Sequence, residues 1–242
     1  MTISKKDKIM VTGSCFATNV GLKLKDDGYD VCINPFGTIF NPESIANSIG
    51  RLRSGEPFTE SDCVEMGAGA GKICSFWHHT SFARTTAEEF LANANSRLAE
   101  ASSVWKECNK VIVTFGTAQV WRHGGKTVSN CLKRPGYEFT HEMLTLERIK
   151  ECISAIKSED KEFLFSVSPV RHMGEGAHVN TVSKSLLQVA IHETGVEYFP
   201  SYEIVLDELR DYRYFNEDKV HPSPKAIDFV YRRFIETMST GS

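Results

Sequence analysis

Five short apolar segments, separated by longer amphipathic ones, restrict the fold of this chain more than any other feature of its sequence. The clearest is Val111–Phe115, a continuous apolar run bounded by Lys110 and Gly116. The others are Ile9–Val11, Asp30–Ile33, Phe163–Val167 and Val196–Phe199. Strands without polar alternation are typical of parallel sheets whose two faces are both covered by helices. The sequence therefore predicts an α/β fold with a doubly wound, five-stranded parallel sheet.

Helix signals lie between these segments, as an alternating fold requires. Thr86 and Glu89 form a capping box ahead of apolar residues at helical spacing. Thr145 is placed to cap another helix, and residues 180–194 carry the apolar spacing of a further one. Ser223, which is followed by proline, is typical of a capped helix start. We therefore expect the last helix to begin directly after Ser223.

Composition and charge exclude several classes of function. The chain has 242 residues and a net charge of -3, so it has no basic excess for nucleic acid or an anionic membrane. No apolar run approaches the ~20 residues that span a bilayer, and the polar N-terminus carries no signal-peptide core. We expect a single cytoplasmic domain over residues 1–242, with neither nucleic acid nor membrane as a partner. No pattern in the sequence fixes its oligomeric state.

Cysteine and glycine patterns argue against a cofactor. The seven cysteines are odd in number and form no CxxC pair, which favours reduced thiols and lacks the clustering of a zinc site. Gly67–Gly71 contains Gly-x-Gly, but no strong strand precedes it and no helix follows promptly. This run predicts a hairpin turn or a loop instead. We expect neither a metal nor a cofactor.

Ser14 follows the first predicted strand, and a helix is expected directly after it. The preceding Gly13 permits a tight strand-to-helix turn. A hydroxyl at this point lies at a helix N-terminus, where free N–H groups and the helix dipole favour developing negative charge. An ordinary N-cap is the alternative interpretation of Ser14.

Asp218 and His221 lie together beyond the last predicted strand. A histidine that acts as an oriented base needs an acceptor for its second ring nitrogen, and an aspartate three residues earlier supplies one. The alternative is an exposed loop without a catalytic role. Because ligands of such sheets bind outside the carboxyl ends of the strands, this position favours the functional interpretation.

The remaining strand ends also lead into loops with polar or glycine residues. Gly37 follows the second strand, and Gly116 with Thr117 follows the third; each glycine offers an N–H that could bind an oxyanion. His172 comes shortly after the fourth strand, where it would line a pocket or position a substrate.

Several of these motifs together resemble the GSCFA family, whose name spells Gly13–Ala17. The resemblance extends from about residue 8 to about residue 235. The other matching stretches are Asn34–Gly37 with Asn41–Pro42, His78–Phe82, Thr114–Ala118, Ser168–His172, Asp211–Arg213 and Asp218–Ser223. This family is in turn similar to the SGNH/GDSL hydrolases, which implies a three-layer α/β/α sandwich.

The resemblance to SGNH enzymes implies a catalytic triad of Ser14, Asp218 and His221. It also implies an oxyanion hole formed by the N–H groups of Ser14 and Gly37 and by an asparagine side chain. Ala118 stands where that asparagine is expected. The candidates for a donor in place of this asparagine are Thr117, Gln119, Asn130 and His79. Loss of one such donor costs about 2.7–4 kcal/mol of transition-state stabilisation.

The implied reaction is acyl transfer from a small ester to water or to a second hydroxyl, and analogy extends the substrates to O-acetylated saccharides. One alternative makes Cys15 the nucleophile. Another is a binding or scaffold protein on a hydrolase fold whose catalysis has decayed. A third is a metal site of His78 and His79 with His172 or His123. Adjacent residues of a strand point to opposite faces, so regular structure disfavours binding of one ion by both His78 and His79.

Overall fold

A computed structural model describes residues 1–239 of the chain; residues 240–242 of the expected domain lie outside this part. The strands, in chain order, are β1 (Lys8–Gly13), β2 (Asp30–Ile33), β3 (Val64–Glu65), β4 (Ile73–Cys74), β5 (Lys110–Phe115), β6 (Gln119–His123), β7 (Lys126–Val128), β8 (Thr140–Met143), β9 (Glu162–Val167) and β10 (Glu197–Phe199). The α-helices are α1 (Cys15–Asp26), α2 (Pro42–Ser54), α3 (Ala87–Glu107), α4 (Leu146–Ile156), α5 (Ala177–Glu193), α6 (Ser201–Glu203) and α7 (Pro224–Met238). A π-helical segment, Ile204–Leu209, continues α6, and four 3₁₀ turns lie at Glu60–Asp62, Thr80–Phe82, Gly136–Glu138 and Tyr212–Tyr214.

A five-stranded, all-parallel sheet forms the centre of the fold, in the order β2-β1-β5-β9-β10. This confirms the predicted fold class, and each predicted strand lies within one or two residues of an observed one. The chain winds outward in opposite directions from β1 and β5, so a topological switch point lies between these two strands. Ligands of open α/β sheets bind beside such a point, at the carboxyl ends of the strands.

Helices cover both faces of the sheet and form a three-layer α/β/α sandwich. On one face α2, α3, α4 and α5 pack against inward residues such as Met10 and Val113. On the other face α1 and α7 pack against Ile9, Val11 and Ile112. Because successive residues of a strand face opposite ways, strands buried on both sides are apolar at most positions, as the sequence indicated.

The predicted helix starts have a direct structural explanation. Oγ1 of Thr86 accepts from the N–H of Glu89, and Oγ1 of Thr145 accepts from that of Arg148. Oγ of Ser223 accepts from the N–H of Ala226 at the start of α7. These caps satisfy N–H groups that lack a partner within the helix.

Two small antiparallel sheets flank the sandwich. One pairs β3 with β4, and Gly67–Gly71 lies between the two strands, as expected of a hairpin connection. The other has the order β7-β6-β8. The sequence interpretation did not include this second sheet or α2, whose cap is formed by the Oδ1 of Asn41. No helix within residues 1–239 is long and apolar enough to cross a membrane.

Candidate functional site

Gly13 fixes the turn that carries Ser14. Its φ of +139° is one that residues with a side chain rarely adopt, and a Cβ on it would lie 2.1 Å from the carbonyl oxygen of Thr114. The N–H of Gly13 donates to Oδ1 of Asn34 over 2.8 Å, which ties the end of β1 to the end of β2. The backbone of β1 therefore lies close against β5 immediately before α1 begins.

The Ser14 hydroxyl is buried and unpaired at the N-terminus of α1. The residue is 2% exposed, and its Oγ has no hydrogen-bond partner within residues 1–239. Ser14 occupies the N-cap position, but its side chain does not accept from the helix. An unpaired buried hydroxyl costs about 1–3 kcal/mol, so a folding role as a cap does not explain this serine.

Asp218 and His221 form a hydrogen-bonded pair on the loop before α7. Nδ1 of His221 lies 2.7 Å from Oδ2 of Asp218, while Oδ1 accepts from the N–H groups of Val220 and His221. The bond to His221 and these two N–H groups lower the pKa of Asp218 to about 2. A carboxylate only accepts, so the proton of the pair lies on Nδ1 and the lone pair of Nε2 is free to act as a base.

The His221 loop is held against the end of β9. The N–H of Arg171 donates to the carbonyl oxygen of Val220 over 3.0 Å, and its guanidinium donates to that of Lys219. Ser14 follows β1 and Arg171 follows β9, the two strands that flank β5. Both groups therefore lie at the carboxyl edge of the sheet. The side chain of His221 is 47% exposed, whereas Ser14 is buried, and no hydrogen bond joins them.

The N–H groups expected to bind an oxyanion donate to backbone carbonyls in this structure. The N–H of Ser14 donates to Thr114 over 3.2 Å and that of Gly37 to Asn34 over 2.8 Å. The N–H of Gly116 donates to Phe40 over 2.7 Å. These three positions therefore offer no free backbone donor. The Oγ1 of Thr117 is likewise within 2.9 Å of the Ser183 hydroxyl.

A pocket of about 210 Å³, here called the His172 pocket, opens beside the switch point. It brings Thr117 and His172 together with Gln119 and Asn130, two of the donors considered for the missing asparagine. Ser14, Gly37, His79 and His221 are not part of its wall. It lies next to the ends of β5 and β9, which Thr117 and His172 follow.

The GSCFA family profile matches residues 8–234. The chain belongs to the GSCFA family. The five residues that spell the family name lie at the last position of β1, at the cap and in the first turn of α1, next to the switch point. No curated protein matches the chain.

In this GSCFA chain, His172 follows β9 and presents an unpaired ring nitrogen beside Gly116 at the end of β5. Its Nε2 is buried without a partner among the described residues, and it lies 3.0 Å from where a Cβ on Gly116 would be. Burial, and then the charges of Lys184 and His221, lower the pKa of His172 to about 3. The imidazole is therefore neutral at ordinary pH.

Lys184 is a residue of the site that sequence reasoning missed. It is 1% exposed on α5, and its Nζ donates to the carbonyl oxygens of Gly116 over 2.5 Å and Ser168 over 2.7 Å. Burial lowers its pKa to about 7, opposed by the nearby Cys15. One signal was available, because Lys184 falls in helical register with buried Asn180, Leu187 and Ile191.

Cys15 lies beside Ser14, but its surroundings disfavour the thiolate form that would attack a substrate. Burial raises the pKa of its thiol, and only part of this effect is offset by N–H groups of its own turn and by Lys184. A raised pKa lowers the thiolate fraction at neutral pH, and the thiolate is the nucleophile. Burial thus disfavours Cys15 as a nucleophile at neutral pH.

The other histidines considered for a metal site lie in different surroundings and have different contacts. His78 is fully buried among aromatic rings and bonded through Nδ1 to Ser75, and burial lowers its pKa to about 3. His79 packs on the turn at Gly37, and its Nδ1 accepts from the N–H of Ser81. His123, the last residue of β6, packs against Phe76. Within residues 1–239 no three metal-ligating side chains cluster.

Proposed function

We propose that this chain is a serine acyl hydrolase of the SGNH type, with Ser14 as the nucleophile and His221, oriented by Asp218, as the base. The observation that carries the proposal is the Asp218–His221 pair, held at the same edge of the sheet as a buried hydroxyl without a folding role. The free Nε2 of His221 and the unpaired Oγ of Ser14 are the two groups that a triad joins.

In the proposed reaction, Nε2 of His221 removes the proton of Ser14 as Oγ attacks the carbonyl carbon of an ester. The tetrahedral intermediate collapses, the alcohol leaves with a proton from His221, and an acyl-serine remains. Water, or a second hydroxyl, then gives a proton to His221 and attacks the acyl-serine. The acyl group leaves as an acid or a new ester, and Ser14 recovers its proton from His221. His221 must turn from its exposed position onto Ser14 when substrate binds, since apo geometries often tighten only in the complex.

The oxyanion requires donors other than the backbone groups of Gly37 and Gly116. The N-terminus of α1 is adjacent to Ser14 and contributes the positive end of the helix dipole. We assign the place of the missing asparagine to His172, because its neutral imidazole has an unpaired Nε2 beside Gly116. A neutral histidine can donate one N–H to a developing negative charge without losing a proton.

The proposed substrate is a small acyl ester, with O-acetylated saccharides as the class suggested by analogy with SGNH enzymes. The small volume of the His172 pocket, about 210 Å³, suits an acyl group of few carbons. The pocket wall is not fully apolar, since Asn41, Thr117 and Asn130 contribute to it.

A binding protein on the same fold is the second candidate. The observations that favour it are the inaccessible Oγ of Ser14 and the occupied N–H groups of Gly37 and Gly116. A saccharide that binds tightly to both wild type and Ser14→Ala, without turnover by the wild type, would support this candidate.

The test is hydrolysis of p-nitrophenyl acetate by wild type, Ser14→Ala, Cys15→Ala and His221→Ala, each checked for native circular dichroism. His192→Ala is a matched control, because His192 is an exposed histidine at the end of α5. Loss of turnover in Ser14→Ala and His221→Ala alone supports the proposal. Loss in Cys15→Ala instead would transfer the nucleophile to the thiol, and a folded but inactive wild type would favour the binding protein.

A further inference from the structure

The His221 loop, residues 216–222, is closed on itself but packs little against the rest of the fold. The N–H of Asn216 donates to the carbonyl oxygen of His221 over 2.8 Å, which joins the two sides of the loop. Five of its seven residues are exposed, and only Val220 and Pro222 are partly or fully buried. Apolar burial therefore contributes little to the position of the His221 side chain.

Hydrogen bonds from Arg171 attach this loop to the central sheet. The N–H of Arg171 donates to the carbonyl oxygen of Val220 over 3.0 Å, and its Nη1 donates to that of Lys219 over 3.0 Å. Within residues 1–239, the hydrogen bonds that join the loop to another element both come from Arg171. They reach the two residues that directly precede His221, so they set the distance of the imidazole from the end of β9.

The chain around Arg171 is itself fixed at the ends of β5 and β9. Three residues before it, the N–H of Ser168 donates to the carbonyl oxygen of Phe115 over 2.8 Å. One residue after it, the N–H of His172 donates to Oδ1 of Asn180 over 2.8 Å. Arg171 lies between these two anchors, so its donors keep a set position relative to the sheet.

The same contacts connect the two halves of the proposed triad through adjacent strands. The N–H of Ser14 donates to the carbonyl oxygen of Thr114 on β5, which fixes the serine to that strand. His221 is attached through Arg171 to the segment that follows β9, the neighbour of β5 in the sheet. The separation of the hydroxyl and the imidazole therefore depends on the bonds that Arg171 makes.

Lys219 has a strained backbone conformation at the point where the guanidinium binds it. Its φ is +54°, in the left-handed region that residues with a side chain rarely adopt. Such conformations persist where surrounding contacts fix them, and they cluster at functional sites. The Arg171 guanidinium supplies such a contact, because it donates to the carbonyl oxygen of Lys219 and lies 5.9 Å from the ring centroid of Tyr212.

We propose that Arg171 is a positioning residue of the proposed hydrolase, whose bonds to the His221 loop keep the base where its imidazole can turn onto Ser14. The inference rests on the proposed function, because the loop has nothing to position unless His221 is the base. Arg171 is not part of the wall of the His172 pocket. Its replacement should therefore lower kcat and leave KM unchanged, since a displaced base slows turnover without altering the acyl site.

The test compares wild type, Arg171→Ala and Arg171→Lys in the hydrolysis of p-nitrophenyl acetate, with kcat and KM measured separately. We expect the kcat of Arg171→Ala to fall about 10–100-fold, because small displacements of a catalytic group have effects of this size. Arg171→Lys keeps a cationic donor for the Lys219 carbonyl and should recover part of the loss. Arg213→Ala is the matched control, because Arg213 lies nearby, pairs with Asp211 and makes no hydrogen bond to the His221 loop within the described residues.

Hydrogen exchange, measured by mass spectrometry of peptic peptides, tests the attachment of the loop without any substrate. Residues 216–222 should exchange faster in Arg171→Ala than in wild type or Arg213→Ala, while the rest of the chain keeps its protection. Unchanged exchange in the loop, or faster exchange throughout the chain, would overturn the inference.

The kinetic outcomes separate this inference from the proposed function. An active wild type whose kcat is unchanged by Arg171→Ala, or a loss that appears in KM alone, overturns the role of Arg171 and leaves the esterase proposal standing. A folded wild type without turnover removes both. Arg171 is only partly buried, so both of its variants are expected to fold.

Discussion

The Lys184 ammonium donates to the carbonyl oxygen of Gly116 over 2.5 Å from a position without access to water. Its second bond, to Ser168, joins the loops that follow β5 and β9. A single buried side chain on α5 thus holds two adjacent strand ends of the candidate site in register. These bonds fix the position of Gly116, against which His172 rests.

Replacement of Lys184 by methionine is expected to destabilise the protein. The two carbonyl oxygens lose their donor inside the fold, at about 1–3 kcal/mol for an unsatisfied buried group. Because the folded-state pKa is about 7, below the ordinary 10.5, the unfolded chain binds more protons between these values. The stability difference between wild type and Lys184→Met should therefore grow from pH 7 to pH 8.5, as measured by urea unfolding. A difference that shrinks over this range would contradict the assignment.

His78 is expected to make the protein acid-sensitive. It is neutral in the folded state, where its pKa is about 3, and gains a proton near 6.5 once unfolded. Its contribution to stability is complete above pH 6.5 and falls by about 1.4 kcal/mol per pH unit below it. His78→Phe should flatten the pH dependence between 6.5 and 4.5 in denaturant titrations, and the exposed His192→Gln should leave it unchanged. An equally steep slope in His78→Phe would refute this origin.

Gly13→Ala is expected to disrupt the turn that carries Ser14. The new Cβ would lie 2.1 Å from the Thr114 carbonyl oxygen, and the φ of +139° is unfavourable for alanine. We expect a loss of more than about 1 kcal/mol of stability together with loss of esterase activity. Gly50→Ala is the matched control: it lies within α2 with open space around it, and should stabilise by about 0.5–1 kcal/mol. Thermal unfolding of both variants measures these two changes in stability, and equal stabilities of Gly13→Ala and Gly50→Ala would contradict the prediction.

Asp218→Asn is expected to lower turnover by about 10³–10⁴-fold while the fold is kept, because an amide no longer fixes the Nδ1–H tautomer of His221. The side chain is half exposed, so the substitution perturbs no core. Asp211→Asn, in a neighbouring exposed position bonded to the backbone of Arg213, is the control. Equal kcat values for the two variants would exclude Asp218 from the triad.

The fold was predictable from the sequence because its determinants are local. The run Val111–Phe115 is buried at every position and apolar at all but Thr114, as expected of a strand that is covered on both faces. The caps at Thr145 and Ser223 satisfy helix N–H groups a few residues away. The β7-β6-β8 sheet was not predicted, since β6 and β7 are short and carry charged residues such as Arg122.

The site was predictable only in part, for a physical reason. Asp218 and His221 are three residues apart, so their pairing follows from sequence spacing. The occupied N–H groups of Gly37 and Gly116, and the buried ammonium of Lys184, depend on contacts between distant segments. The carbonyl of Phe40 takes up the Gly116 N–H from 76 residues away along the chain. No local pattern encodes such a contact.

Labelling by a fluorophosphonate, followed by mass spectrometry of the digested protein, tests the central proposal most directly. The reagent bonds covalently to a serine only when a neighbouring base activates its hydroxyl. The account predicts one adduct, on Ser14, which is absent in Ser14→Ala and forms far more slowly in His221→Ala. A folded wild type with no adduct on Ser14, or with an adduct that His221→Ala does not slow, would contradict it.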